Sequence, residues 1–275
     1  MAISRRELLA GAGALAGAAG AATLTPPAGD DLKLGVATYS LRKLSRADAI
    51  AAVRALRTPY VSIKEMHLPY KASPAELAAG VKEFAGAGLT TLSGGNNGIT
   101  EDTDEHVRFF FEYAKACRMP MLVIAPRAKN LARIEKFVKQ YDIKVAIHNH
   151  GPEDQHFPTP QSALKLVHNM DPRVGLCIDI GHTARTEADV VESIREAGPR
   201  LLDMHVKDLR ELKDKASQCA VGEGAMPMAA IFKELKRMRY QGGVMLEYEI
   251  NADDPLPGML QSFAYMRGVL AGLRG

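Results

Sequence analysis

The sequence has little of what several common protein classes require. Its 275 residues include no Trp, 8 Tyr, 8 Phe and 3 Cys, and the net charge is +3. So few aromatic residues provide no obvious platform on which bases or sugar rings would stack. Lys and Arg are spread along the chain without a dense block, so nucleic acid is a poor candidate partner. Cys117, Cys177 and Cys219 form no CxxC pair and indicate neither a thiolate zinc site nor a disulfide framework.

The composition that remains is that of an ordinary globular protein, with 47% hydrophobic and 24% charged residues. This balance excludes collagen, coiled coil and wholesale disorder. The phosphate-binding spacings GxGxxG and GxxxxGK are missing. The segment 94–98 is Gly-rich without either spacing, and we predict that it is the loop after the third strand. No break in composition marks a second domain.

The first residues have the pattern of an export signal. Arg5 and Arg6 precede an apolar run of Ala, Gly and Leu that extends to Leu24. This arrangement resembles a twin-arginine signal, and an amphipathic N-terminal helix is the alternative. The run is short and Gly-rich, so we expect no stable membrane span after signal removal. We predict a signal segment over residues 1–24, a barrel domain over residues 30–275 and a periplasmic location.

Short β-branched runs alternate with longer amphipathic stretches through the rest of the chain. The helical patterns carry capping residues, as in Ser73-Pro74-Ala75-Glu76. Eight strand–helix units in a row predict an α/β fold, a single (β/α)8 TIM barrel, and a doubly wound sheet is the alternative. The length also fits, because such barrels need roughly 250 residues. The predicted strands are Leu32–Thr38, Tyr60–Met66, Leu89–Ser93, Met121–Ala125, Lys144–Asn149, Val174–Ile180, Leu201–Val206 and Gly243–Tyr248.

The last four predicted strands all end in His, Asp or Glu behind a hydrophobic run. Active sites of such barrels lie at the carboxyl ends of the strands, so these side chains are expected to converge. Unpaired buried charge is costly, and a metal ion would offset that cost. Imidazole and carboxylate ligands suit Mn²⁺, Co²⁺, Zn²⁺ or Fe²⁺, and we predict one such ion. The four ends read His148-Asn149-His150, Asp179-Ile180-Gly181-His182, His205-Val206-Lys207-Asp208 and Glu247-Tyr248-Glu249.

From about Leu32 onward the chain resembles the xylose isomerase-like TIM barrels, a superfamily of sugar isomerases and epimerases. The segments that carry the resemblance are 179–182, 205–208, 222–224 and 246–248. The superfamily includes ketose 3-epimerases, hydroxypyruvate isomerase and inosose dehydratase. The resemblance therefore implies a metal-dependent enzyme with a small-molecule carbohydrate substrate. Because barrels of this group often associate, it also implies a homo-oligomer, without indicating a face.

The resemblance implies a particular set of metal ligands. Asp179, His205 and Glu247 occupy the places of three family ligands. The fourth place, usually a Glu at the end of strand five, is held by His148. Glu249 has the same strand parity as Glu247 and stays an alternative on the eighth strand.

The replacement of that Glu changes the expected chemistry. Neutral imidazole bound to a metal through one nitrogen is a poor proton shuttle, so a mechanism with two metal-bound Glu residues does not transfer. Metal-assisted enolisation through an enediolate remains. We favour a lyase or dehydratase acting on a keto-sugar or oxidised glycoside, because an exported enzyme seldom meets sugar phosphates. A sugar isomerase or 3-epimerase, a non-catalytic sugar-binding barrel and a metal-dependent nuclease are the alternatives.

Candidate acid–base groups lie close to the predicted ligands. Glu247 is one of them, and His150 shares strand parity with His148. His182 is a candidate for both proton transfer and substrate binding, and a hydrogen-bonded loop histidine is the alternative. Lys207 is a candidate for the same two roles, and a surface salt bridge to its neighbour in the sequence is the alternative.

Two further candidates for substrate binding follow the second predicted strand. Lys64 and His67 lie where that strand ends, and they are expected to face the same mouth of the barrel. A solvated charge at the rim is the alternative for Lys64, since lysines are usually exposed unless paired.

Overall fold

Eight parallel strands close into a barrel in the computed structural model, which describes residues 24–27 and 31–274. Neighbouring strands follow the chain, and the first pairs with the last, so the barrel is the predicted (β/α)8 fold. The barrel strands are β1 (Lys33–Ala37), β2 (Tyr60–Ile63), β3 (Thr90–Asn97), β4 (Met121–Ile124), β5 (Lys144–His148), β6 (Val174–Asp179), β7 (Leu201–Val206) and β10 (Gly243–Leu246). A short antiparallel hairpin, β8 (Asp208–Leu209) with β9 (Gln218–Cys219), follows β7.

The helix after β2 begins at the predicted capping residue, Ser73. Ser73 accepts from the backbone N–H of Glu76, and the Glu76 carboxylate accepts from that of Ser73, which completes a capping box. The helices are α1 (Arg46–Ala55), α2 (Pro74–Gly86), α3 (Asp104–Ala116), α4 (Leu131–Tyr141), α5 (Pro160–Val167), α6 (Ile180–Arg185), α7 (Val190–Ala197), α8 (Met228–Arg237) and α9 (Leu256–Gly272). No helix in the described ranges is long and apolar enough to cross a membrane.

Three predictions stay predictions here: the signal segment, the periplasmic location and the homo-oligomer. The predicted signal segment, residues 1–24, lies outside the described residues apart from Leu24. Export and the periplasmic location therefore stay predictions, as does the homo-oligomer.

Strand parity separates the two sides of the barrel wall. The larger hydrophobic core lies between the strands and the helices, and a smaller buried cluster of Met121, Val123, Ala146 and Cys177 is separate from it. Successive strand residues point to opposite faces. His148 and Asp179 therefore face the same side as Ala146 and Cys177, which lie two residues earlier. This parity sets the polar strand ends above the interior of the barrel.

The third strand is longer than predicted. The prediction that 94–98 is a loop is wrong, because β3 continues to Asn97 and pairs there with β4. Gly and Asn are rare in strands, which is why the sequence pattern ended the strand at Ser93. Gly95 has φ +143°, and a Cβ there would lie 2.2 Å from the Val123 carbonyl oxygen. Only glycine permits this approach.

Asp208 organises the chain that follows the hairpin. Its carboxylate accepts from four backbone N–H groups, those of Leu209 (2.9 Å), Gly222 (2.9 Å), Gly224 (3.2 Å) and Met226 (3.0 Å). The carboxylate is buried, and it satisfies donors that would otherwise be desolvated without a partner. The sequence segments 205–208 and 222–224 are thus joined by one side chain.

We expect Asp208→Ala to lower the free energy of unfolding by about 3 kcal/mol, because hydrogen bonds to a charged group contribute about 1.5–3 kcal/mol each and do not add fully. Urea unfolding of the purified chain measures the change. The control is Asp214→Ala, which removes an exposed carboxylate that accepts from Ala216 N. Asp214→Ala should lower the free energy of unfolding by less than about 1 kcal/mol. An equal decrease of this free energy in the two variants would contradict the role given to Asp208.

Candidate functional site

Four potential metal ligands meet at the carboxyl ends of β5, β6, β7 and β10. One ligand atom from each of His148, Asp179, His205 and Glu247 lies within 4.8 Å of the others. His148 Nε2 is 3.0 Å from His205 Nδ1 and 3.5 Å from Asp179 Oδ2. His205 Nδ1 is 3.2 Å from Glu247 Oε1. All four residues are buried, so the strand ends converge on one small volume.

Lys207 supplies positive charge to this cluster. Its ammonium lies 3.0 Å from Asp179 Oδ2 and 2.9 Å from Glu247 Oε2, and it also contacts Glu249 Oε1. Although burial opposes ionisation of Asp179 and Glu247, the Lys207 charge holds the pKa of both carboxyls well below their usual range. The side chain therefore pairs with these three carboxylates, whereas Asp208 is occupied with backbone donors.

The geometry distinguishes the two glutamates that follow β10. Glu247 places Oε1 beside His205 and Oε2 beside Lys207. Glu249 contacts Lys207, and its backbone N–H donates to Gln218 Oε1 at 3.0 Å. Glu247 is a member of the four-residue cluster and Glu249 is not. The arrangement favours Glu247 as the ligand.

The pKa values of the two imidazoles in the cluster are shifted in opposite directions. Burial lowers the pKa of His148 to about 3, which leaves a neutral ring with a lone pair for a metal ion. Burial also opposes charge on His205, yet the Glu247 carboxylate beside Nδ1 raises its pKa above the usual value. A cation that binds at His205 Nδ1 would therefore replace a proton.

Cys177 is a further neighbour that sequence reasoning did not single out. It forms a second group of close potential ligands with His148 and His205. Burial raises the pKa of the Cys177 thiol to about 12, so it stays protonated at neutral pH. The group with Cys177 offers three ligand atoms and the group with two imidazoles and two carboxylates offers four, so the four-residue cluster is the better candidate metal site.

A pocket of about 480 Å³ opens above the cluster. His148 and Glu247 form part of its lining, so a molecule in the pocket would lie against the candidate metal ligands. The lining is mostly polar and carries charges of both signs. It consists of Tyr39, Lys64, Asn96, His148, His150, Glu153, Asp154, His182, Lys215, Glu247 and Glu249.

The structure brings His150 and His182 to this pocket, with ring centroids 5.8 Å apart. His150 Nε2 is 2.7 Å from Asn96 Nδ2, and its Nδ1 is 3.3 Å from Asp154 Oδ2. His182 is buried, and this burial lowers its pKa below the usual value. Both rings are within reach of a molecule bound above the cluster.

The two candidates after β2 are placed differently from each other. Lys64 lines the pocket, pairs with Glu65 at 3.0 Å and donates to the Asn96 carbonyl oxygen. His67 is buried and is not part of the pocket lining. The strand ends at Ile63, and the chain then turns, with His67 N donating to the Lys64 carbonyl oxygen. The turn packs His67 into the protein instead of facing it toward the mouth.

The part of the chain that carries the cluster is similar to a known family of barrel proteins. The sequence profile of the family described as xylose isomerase-like TIM barrel matches residues 123–269, more than half of the chain. The chain belongs to this family. The matched range contains all four residues of the cluster.

Curated relatives of this xylose isomerase-like barrel include two enzymes named inosose dehydratase. The one from Lactiplantibacillus plantarum is 26% identical over an alignment of 138 residues, with coverage of 44% of this chain and 45% of the relative. The one from Mesomycoplasma hyopneumoniae strain J is 27% identical over an alignment of 164 residues, with coverage of 52% of this chain and 54% of the relative. The chain thus spans about half the length of the curated relatives it matches.

Solved structures show the same fold at lower identity. D-psicose 3-epimerase, solved in the presence of D-fructose, has a TM-score of 0.71 and 17% identity, covering 88% of this chain and 100% of that one. The IOLI protein, solved with a bound zinc atom, has a TM-score of 0.71 and 18% identity over 86% and 98%. The 3-keto-D-glucoside 4-epimerase YcjR from E. coli has a TM-score of 0.70 and 17% identity over 86% and 99%.

Several pocket residues of this xylose isomerase-like barrel escaped sequence reasoning. Asn96 was assigned to a loop, and Tyr39 lies in a short 3-10 helix directly after β1. The rule that strand ends carry the site, applied to the first strand, would have found Tyr39. Lys215 comes from the hairpin after β7, whose return to the pocket no local pattern indicates.

Proposed function

We propose that the protein is a divalent-metal-dependent lyase or dehydratase that acts on a keto-sugar or an oxidised glycoside. The observation that carries the proposal is the buried cluster of His148, Asp179, His205 and Glu247 at the floor of a polar pocket. The relatives named inosose dehydratase support elimination as the reaction class. The bound zinc of the IOLI protein supports metal dependence.

The residues present fit a divalent ion. Two imidazole nitrogens and two carboxylate oxygens are a donor set that suits Zn²⁺, Mn²⁺, Co²⁺ or Fe²⁺. Asp179 is fully buried, and its Oδ2 lies 3.5 Å from His148 Nε2 and 3.0 Å from the Lys207 ammonium, so a carboxylate oxygen and an imidazole nitrogen are already held together beside a positive charge. When bound, the ion would polarise the carbonyl and hydroxyl oxygens of a keto-sugar and stabilise the enediolate.

The chain's own residues supply the proton transfers. His150 lines the pocket, and its Nε2, which lies 2.7 Å from Asn96 Nδ2, is the candidate acceptor for the proton on the carbon next to the carbonyl. The same imidazole can return that proton to the leaving oxygen. Lys207, a predicted substrate-binding residue, is not part of the pocket lining; its buried ammonium pairs with Asp179 and Glu247 and so acts on the charge of the cluster.

The charges in the pocket favour an uncharged sugar over a phosphate ester. Four carboxylates, those of Glu153, Asp154, Glu247 and Glu249, line the pocket together with two lysines, Lys64 and Lys215, so the acidic groups are in excess. A phosphate group would lie close to these carboxylates, and like charges at short range are unfavourable. Hydroxyl groups suit the same side chains as hydrogen-bond partners.

The test uses protein loaded with Zn²⁺ or Mn²⁺ and incubated with an alkyl 3-keto-glucoside. Proton NMR follows release of the alcohol. We expect the wild type to release the alcohol. In His148→Ala the rate of release should fall at least about 100-fold, since mutation of residues that only orient metal ligands already lowers metal affinity or activity about 10- to 100-fold. His156→Ala is the control, because His156 is exposed on the loop after β5. An unchanged glycoside together with epimerisation of a free ketose would contradict the lyase.

A further inference from the structure

Arg185 is buried behind the pocket and binds one of its histidines. Only 8% of the residue is exposed, which is unusual for an arginine. Its Nη1 lies 3.0 Å from His182 Nδ1, and its Nη2 pairs with Glu153. The side chain therefore connects the loop after β5 with the short helix α6 after β6.

The surroundings leave space for this arginine. Gly151 has φ +83°, and a Cβ there would lie 3.2 Å from both Arg185 Nη1 and the His182 carbonyl oxygen. A side chain at this position would press on the contact between the two residues. Glycine also adopts the positive φ without strain. The backbone after β5 is thus shaped around the guanidinium.

The contact fixes which ring nitrogen of His182 carries hydrogen. A guanidinium has five N–H donors and no acceptor, and it is not deprotonated in proteins. His182 Nδ1 must then accept the hydrogen bond, so a neutral ring carries its hydrogen on Nε2. Within the described part of the chain, Nε2 has no protein partner among the contacts of His182, and the residue lines the pocket.

His150 has the opposite arrangement 5.8 Å away. Its Nδ1 faces the Asp154 carboxylate at 3.3 Å, which can only accept. Its Nε2 is then the lone pair, and it faces the Asn96 side-chain amide at 2.7 Å. The two pocket histidines therefore carry hydrogen on different ring nitrogens, because Nδ1 faces a guanidinium in His182 and a carboxylate in His150.

We propose that Arg185 is a positioning residue that holds His182 in the Nε2–H form, so that the pocket presents a hydrogen-bond donor to a substrate oxygen. The proposal rests on the proposed function for the identity of that oxygen, which would be the carbonyl that gains negative charge. The assignment of the ring hydrogen does not depend on the reaction.

The test is nitrogen NMR of the full chain labelled with ¹⁵N-histidine. Loss of signals in His182→Gln and His150→Gln assigns the two rings among the 8 histidines. We expect hydrogen on Nε2 of His182 and on Nδ1 of His150. Hydrogen on Nδ1 of His182 in the wild type would overturn the proposal without any variant.

Two variants then test the role of Arg185. Arg185→Met keeps the length and removes the donors, and we expect His182 to lose its preference for the Nε2–H form while His150 keeps its own form. Arg185→Lys restores a donor and should restore the preference. An unchanged His182 spectrum in Arg185→Met would overturn the proposal. In turnover, kcat should fall, with little change in KM, by less than the roughly 100-fold that deletion of an oxyanion donor costs, because part of the His182 population keeps hydrogen on Nε2. An inactive wild type with the expected ring hydrogens would contradict the proposed function alone.

Discussion

We expect the wild type to purify with about one divalent ion per chain, and Glu247→Ala to purify without it. The variant removes the carboxylate that lies 3.2 Å from His205 Nδ1 and leaves three of the four donors. Loss of contacts that only orient metal ligands weakens binding 10- to 100-fold, so loss of a ligand itself should cost at least about 100-fold. Elemental analysis of protein prepared without added metal measures the content, and calorimetric titration with Zn²⁺ measures the affinity.

Glu249→Ala is the matched control for this experiment. The residue lies two positions further along the chain, has the same charge and contacts the same lysine, but it is outside the cluster. We expect its metal content to equal that of the wild type. Loss of metal in Glu249→Ala with retention in Glu247→Ala would exchange the two assignments. Metal in neither the wild type nor the variants would contradict a metal centre at these strand ends.

The barrel itself could be predicted because the signals for it are local and repeated. Each predicted strand is a short apolar run of period 2, and the fold rule places polar strand ends at one mouth. Parity then puts His148, Asp179 and His205 on the side of Ala146 and Cys177. The convergence of these ends within 4.8 Å follows from fold and parity together.

The contacts between elements could not be predicted in the same way. Sequence spacing does not reveal that Lys207 turns toward the cluster, because Asp208 beside it is an equally plausible partner. It does not show that Asp208 instead accepts from backbone groups up to 18 positions away. His67 illustrates the same limit, since its direction depends on a turn after β2.

Lys207→Met is expected to destabilise the metal-free protein far more than the metal-loaded protein. The ammonium is almost fully buried, with 4% of the side chain exposed, between Asp179 and Glu247. Removing one partner of a buried ion pair costs about 3–5 kcal/mol, because the remaining charge is left uncompensated. An ion bound by the same carboxylates would restore the compensation, so stabilisation by metal should be larger in the variant than in the wild type.

Urea unfolding with a chelator and with saturating Zn²⁺ measures the two losses for Lys207→Met. Lys213→Met is the control, because Lys213 forms an exposed pair with Glu187. Pairs of this kind contribute about 0–1 kcal/mol, with or without metal. Equal losses for Lys207→Met in both conditions would mean that the side chain acts through packing rather than charge. If instead Lys207→Met loses less stability with Zn²⁺ than with chelator, Lys207 and the ion act on the same two carboxylates, Asp179 and Glu247. The ion then compensates the negative charge that the missing ammonium no longer compensates.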